Sequence, residues 1–256
     1  IVVFCAMYLD NKHTHVMRFS QGILPLLVVV CFPLFLLLNQ PDLGNTGLIV
    51  MVVGTLLFLS RVPLWWFFSF GIVSIATVVS SILLHPYQLV RVMSFLNPLE
   101  DPTGKNYHMI QSLIAIGSGG VTGLGIGDSK LKFFYLPLQY SDFIFSIICE
   151  EGGFVLGCVV IGLFLLLFLM GIRIAIKSTS LYRYYLAVGV LVFIVYQAII
   201  NMAVVIGLMP VTGIPLPFIS FGGTSLVMSL FFVGVLVAIS SENKLEKVPL
   251  GDNNET

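Results

Sequence analysis

Asp142 is the residue whose type and setting point most directly to chemistry. It stands in Phe134-Tyr135-Leu136-Pro137-Leu138-Gln139-Tyr140-Ser141-Asp142-Phe143-Ile144-Phe145, at the end of a long polar segment and the edge of a long apolar one. A carboxylate at such a boundary is costly to desolvate unless it has a partner or a task. Upstream runs Gly117-Ser118-Gly119-Gly120-Val121-Thr122-Gly123-Leu124-Gly125-Ile126-Gly127, a stretch able to turn sharply and approach a ligand closely. Lys130 and Lys132 follow it, and His85, Arg91 and Lys105 precede it. Cations beside flexible backbone amides suit a phosphate or pyrophosphate. The alternative for Lys130 and Lys132 is contact with lipid headgroups, and for Arg91 an ion pair with Glu100 or Asp101. The glycine string follows no parallel-strand pattern, which excludes a dinucleotide fold.

Other polar residues carry simpler readings beside the functional one. Asp142 itself has the alternative of capping a helix that begins at Phe143. Asp42, after Pro41, reads as a helix N-cap. Glu150 and Glu151 read as acidic residues at the N-terminus of the next span, where the helix dipole favours them. Gln111 and Ser112 either line a cavity or cap local backbone. Gln197 and Asn201, four apart within a span, read as interhelical hydrogen-bonding residues. His108 is a lone histidine on the same side as Asp142, and His13 and His15 read as solvated. No His, Cys, Asp and Glu cluster has metal-ligand spacing, so no metal site is indicated. Cys5, Cys31, Cys149 and Cys158 show no paired spacing.

The elements that position these residues are membrane helices. The chain of 256 residues is 58% hydrophobic and 9% charged with net charge zero, and its mean hydropathy is +1.05. A soluble surface needs far more charge, and nothing basic invites nucleic acid. Apolar runs of roughly bilayer length occur at 22–38, 44–60, 62–84, 152–172, 184–209 and 221–240, the first interrupted by Pro25 and Pro33. Residues 1–9 read as the tail of a further helix, which implies a piece of a longer protein. Lys12, Arg18, Arg61, Arg173, Lys177, Arg183, Lys244 and Lys247 fall on one side if the spans alternate. That side, with the tail 241–256, is therefore expected to be cytoplasmic. The segment 85–151 is expected outside, within a single membrane domain covering 1–256, and Asn106–Ile116 is expected to form a short helix with Ile110, Leu113 and Ile114 on one face. The loop from Met209 to Ser225 holds Pro210, Pro215 and Pro217 with Gly213, Gly222 and Gly223. It cannot be a continuous helix, and non-helical backbone at membrane depth must be buried in protein or line a wet cavity. It reads either as a tight re-entrant turn or as a wall of the cavity holding Asp142, with Ser220 a candidate substrate contact and Gly222 and Gly223 structural.

These segments together resemble the SEDS family, the peptidoglycan polymerases typified by RodA, FtsW and SpoVE. The resemblance rests on Gln40-Pro41-Asp42-Leu43-Gly44, Tyr107 to Gly120, Gly125-Ile126-Gly127-Asp128-Ser129, Tyr135-Leu136-Pro137 to Asp142-Phe143-Ile144-Phe145 with Glu150-Glu151, and the Pro210 to Ser225 loop. It implies an all-α polytopic bundle of about ten helices, of which about six full spans and part of another lie here, with a large extracytoplasmic loop. The family pattern Leu-Pro-Glu-x-His-Thr-Asp is here Leu136-Pro137-Leu138-Gln139-Tyr140-Ser141-Asp142, so the Glu and His are replaced and the aspartate is kept. Thr212 stands where some division-type members carry lysine. The Gly127-Asp128-Ser129, Lys132 and Tyr135-Leu136-Pro137 block is more like the division and sporulation members, FtsW most of all, than the elongation type.

The resemblance implies polymerisation of lipid II into β-1,4 glycan strands on the outer face of the bacterial plasma membrane during division. An α-linked donor giving a β-linked product implies a single inverting displacement. Asp142 is then the catalytic base. Lys132, Lys130 and Arg91 are candidates for the pyrophosphate, with Gln111, Ser112 and Ser220 as further substrate contacts and Asp42, Glu150, Gly222 and Gly223 as supporting residues. A divalent cation is possible, and no other cofactor is implied. The implied partners are a class B penicillin-binding protein transpeptidase and other membrane proteins of the division machinery. Two other readings are a lipid II flippase and a non-catalytic division scaffold.

Overall fold

The computed structural model describes residues 1–12, 24–40, 42–60, 62–97, 107–129 and 142–245. Among these, every regular element is a helix: α1 (Val2–Asn11), α2 (Leu24–Asn39), α3 (Leu43–Leu59), α4 (Leu64–Leu84), α5 (Pro86–Leu96), α6 (Tyr107–Gly119), α7 (Ile144–Ile176), α8 (Leu181–Val205) and α9 (Gly223–Leu245). Four of them, α4, α7, α8 and α9, are long and apolar enough to cross a membrane, and α2 and α3 are shorter apolar helices of 16 and 17 residues. The chain is thus an all-α, multi-pass membrane bundle. Pro33 lies inside α2 without ending it, and Pro25 falls in its first turn, where a missing N–H costs nothing. The expected interruption of that span is therefore absent.

The bundle is built around α8, which packs against α1, α3, α7 and α9. Small residues set these approaches. A Cβ on Gly171 of α7 would lie 2.5 Å from Leu191, and one on Gly189 of α8 would lie 2.6 Å from Val2. Apolar association alone does not drive helices together in lipid, so close backbone packing of this kind supplies the attraction. A hydrogen bond between the hydroxyls of Thr55 on α3 and Tyr196 on α8, 2.8 Å apart, ties the same faces together.

The fourth span differs from its expected start at residue 152. Helix α7 begins eight residues earlier, at Ile144, and is broken once, at Gly153 (φ 66°, ψ −167°). The piece beyond the break is about 23 residues, or about 35 Å, enough to span a bilayer core. The piece before it carries Glu150 and Glu151, so these residues do not open the helix as expected. They sit at the break instead.

The glycine-rich stretch after α6 resolves what the break leaves unpaired. Leu124 and Gly125 donate backbone N–H groups to the carbonyls of Glu150 and Glu151 at 3.0 and 3.1 Å. In return, Phe154 and Val155 donate to the carbonyls of Gly120 and Val121 at 2.9 and 3.3 Å. Two backbones can interlock so closely only without side chains. A Cβ on Gly123 (φ 82°) would stand 2.1 Å from the Glu151 carbonyl oxygen, and one on Gly119 would stand 2.0 Å from that of Cys149. The close approach expected of this run is thus made to the chain's own helix. Helix α6 also turns a different face inward: Met109, Ser112, Ala115 and Gly119 are buried, while Leu113 and Ile114 are exposed. The smaller face permits the tight packing on α7.

Candidate active site

Asp142 lies in the turn that leads into α7. The N-cap position belongs to Phe143, whose side chain makes no capping bond. Phe143 is 1% exposed and fixes the turn by burial, while its carbonyl accepts from the Ser146 N–H at 3.0 Å and the Ser146 hydroxyl at 2.7 Å. The half-buried Asp142 beside it therefore does not occupy the cap. Its backbone carbonyl accepts a hydrogen bond from Asn201 Nδ2 at 2.7 Å. The same Nδ2 donates to the carbonyl of Ile214 at 2.8 Å. Asn201 is 2% exposed, and in an apolar interior this amide is a rigid two-way tie.

The tie brings the Pro210 loop against Asp142. A Cβ on Gly213 (φ 76°) would lie 3.7 Å from Asp142 Oδ2, so bare backbone faces the carboxylate. Five consecutive residues of that loop are each met by a different group. Arg91 Nη1 donates to the Val211 carbonyl at 3.3 Å. Gly44 of α3 packs so tightly on Thr212 that an added Cβ would lie 3.0 Å from its side chain. Asp142 faces Gly213, Asn201 holds Ile214, and Gln197 Nε2 donates to the Pro215 carbonyl at 3.0 Å. Beyond them Ser220 Oγ accepts from the Leu216 N–H at 2.7 Å, and Leu216 is fully buried. The loop folds back against the bundle beside Asp142.

The other singled-out residues sort as follows. Asp42 is the N-cap of α3, accepting from the Asn45 N–H at 3.0 Å and the Asn45 side chain at 2.7 Å. Arg91 also donates through Nη2 to the Tyr87 hydroxyl at 2.6 Å and stacks over that ring at 4.6 Å. Ser112 is buried and donates to the Val205 carbonyl at the end of α8 at 2.9 Å, a tie between α6 and α8 that is neither of the roles expected of it. Gln111, on the same helix, is half-buried. Ser220 serves its own loop. Glu150 is 2% exposed and accepts from the buried Ser129 hydroxyl at 2.5 Å. Gly222 and Gly223 lie where α9 begins, and the Gly222 carbonyl accepts from Leu226 N–H at 3.0 Å. The His108 ring lies 6.4 Å from that of Phe143, with Nδ1 buried and without a hydrogen-bond partner among the described residues. Lys130 and Lys132 lie outside the described residues. Among the described residues no three His, Cys, Asp or Glu side chains gather to hold a metal, and all four cysteines are free.

Sequence reasoning placed Asn201 and Gln197 between helices; they bind loop carbonyls instead. The available signal was their position just before a loop whose irregular backbone cannot pair with itself. Tyr87 carried no signal. Below this end of the bundle, an apolar groove of about 400 Å³ runs between α2, α3 and α4, lined by Cys31, Phe35, Val50, Trp66, Phe70 and Val73 among others.

The architecture is that of an integral membrane protein with a re-entrant loop closing on one carboxylate. A family model for FtsW, RodA and SpoVE, described as "Cell cycle protein", matches residues 1–245, and the chain belongs to this family. It is 41% identical over 240 residues to stage V sporulation protein E of Bacillus subtilis, with 94% of this chain and 66% of that protein aligned. It is also 41% identical over 245 residues to a probable peptidoglycan glycosyltransferase FtsW of Trichlorobacter lovleyi, with 96% and 64% aligned. The chain thus spans just under two thirds of the length of these relatives. A chain from the solved structure of a peptidoglycan synthase complex that coordinates polymerisation and crosslinking superposes with a TM-score of 0.71 at 28% identity, over 94% of this chain and 68% of that one. The rod shape determining protein RodA of Thermus thermophilus shares the fold, with a TM-score of 0.64 at 24% identity, over 93% and 61%.

Proposed function

We propose that this chain carries the catalytic end of a membrane peptidoglycan glycosyltransferase that extends glycan strands from lipid II during division. The supporting observation is Asp142, held by Asn201 through its backbone and turned towards the bare backbone of Gly213. This anchoring fixes the backbone from which the carboxylate projects.

In this reading a sugar hydroxyl of one substrate attacks the anomeric carbon of the other. The bond from that carbon to the pyrophosphate oxygen breaks, and the pyrophosphate leaves with the electron pair. Asp142 takes the hydroxyl proton. Inversion follows from the single displacement, and one carboxylate suffices where glycoside hydrolysis uses two. The leaving pyrophosphate needs positive charge, and Lys130 and Lys132 are the sequence candidates. Arg91 has two of its donors committed to Val211 and Tyr87, so its first role is to hold the loop wall. The apolar groove between α2, α3 and α4 offers a lipid tail a path beside the bundle. The bias of Lys and Arg towards one set of connectors supports a reading with Asp142 on the extracytoplasmic side and the C-terminus in the cytoplasm. The partner is a class B penicillin-binding protein, in line with the synthase complex whose chain superposes here.

The test uses the full-length protein with its transpeptidase partner in proteoliposomes and labelled lipid II. Asp142→Asn is expected to reduce polymerisation by about 10²–10⁴-fold with folding and partner binding intact. Unchanged polymerisation overturns the base assignment. Wild-type translocation of lipid II without polymerisation would support a flippase, and neither activity would support a scaffold.

A further inference from the structure

The far end of α7 from Asp142 holds a cationic pocket that the glycosyl-transfer reading does not use. It has a volume of about 220 Å³ and is lined by Arg173, Ile174 and Lys177 from the end of α7 and by Ser240, Asn243 and Lys244 from the end of α9. Arg173 and Lys177 are one turn apart, so both face the same side of their helix. No ion pair engages Arg173, Lys177 or Lys244 among the described residues. The nearby acid, Glu242, faces Arg183 at 3.4 Å.

The pocket is held in place. Asn243, 5% exposed, donates through Nδ2 to the Ile174 carbonyl at 3.2 Å and to the Ser178 hydroxyl at 3.3 Å. These bonds fix the end of α9 to the end of α7 and thereby bring the three cations together. The C-terminus of α7 meets these cations with about half a negative charge. It offsets only a fraction of the three positive charges and leaves an excess that calls for an anion.

The surroundings indicate which anion. One turn towards the membrane interior from Arg173 and Ser240 stand Met170 and Val237, 56% and 60% exposed. A charged pocket directly above bare apolar helix surface matches a phosphate headgroup continued by acyl chains better than a free aqueous anion. We propose that this pocket binds the phosphate of an anionic phospholipid from the leaflet opposite Asp142.

The experiment titrates purified full-length protein with phosphatidylglycerol and, separately, phosphatidylcholine, and counts bound lipid by native mass spectrometry. The variant R173Q/K177Q/K244Q is compared with K12Q/R18Q/R61Q, which removes three cations that the sequence pattern assigns to the same side of the membrane. At about fivefold per cation near a lipid surface, phosphatidylglycerol affinity is expected to fall about a hundredfold in the pocket variant and less than twofold in the control. If the triple variant does not fold, K244Q alone is expected to lose about fivefold. Equal losses in both triple variants would reduce the effect to diffuse positive charge and overturn the site. Binding of phosphatidylcholine as tight as phosphatidylglycerol would also overturn it. Displacement of phosphatidylglycerol by millimolar inorganic phosphate would assign the pocket to a soluble anion and overturn the lipid.

Discussion

Asn201 and Asp142 meet through one amide and one carbonyl, 2.7 Å apart, and the same amide nitrogen reaches Ile214 at 2.8 Å. A residue from the middle of the chain and a loop 72 positions later are thereby held to a single point on α8. The carboxylate of Asp142 and the backbone of Gly213 face each other because their flanking carbonyls share one donor.

That sharing predicts an asymmetry between two substitutions. Asn201→Leu strands the buried carbonyl of Ile214, at about 1–3 kcal/mol, and the half-buried one of Asp142, at less. Asn201→Asp keeps the shape but sets an acceptor against two acceptors, and is expected to destabilise at least as much. Thermal unfolding in detergent measures both. An Asn201→Asp protein as stable as wild type would mean that the amide is no clamp.

The glycines of the 117–127 run divide into interchangeable and indispensable ones. Gly123→Ala forces a Cβ within 2.1 Å of a carbonyl oxygen at a φ of 82°, and is expected to abolish folded protein or lower its melting temperature sharply. Gly117→Ala, with nothing within 4 Å of its Cβ and a place inside α6, is expected to be neutral or to stabilise by up to about 1 kcal/mol. Size-exclusion profiles and unfolding curves of the two variants provide the comparison, and equal tolerance of both would refute the interlocked backbone.

Arg91 stabilises the loop wall through geometry that lysine lacks. Its fork reaches Val211 and Tyr87 at once while lying over the Tyr87 ring. Arg91→Lys keeps the charge but loses the planar fork, so amide hydrogen exchange across 210–216 is expected to rise several-fold. If exchange stays at the wild-type rate, the contact does not hold the loop.

Much of this protein was determined by sequence alone. Apolar runs of bilayer length specify membrane helices because no other regular structure satisfies backbone groups in lipid except a closed barrel. Three prolines in the 210–217 stretch forbid a continuous helix there, and Asp42 after a proline marks a helix start that the structure bears out. The family was legible in the same segments. What only the tertiary structure decided are the pairings between distant polar groups. Glu150 read as a residue opening a helix, yet lies within α7 just before its break, where its buried carboxylate accepts from Ser129. The glycine run read as a ligand cradle, yet its carbonyls and N–H groups answer a break at Gly153 some thirty residues on. Asn201 read as a helix-to-helix tie, yet serves the turn at Asp142 and the loop at Ile214. In each case the local pattern records that a polar or flexible residue is needed, whereas which buried group it satisfies depends on which segments the packed helices bring within about 3 Å.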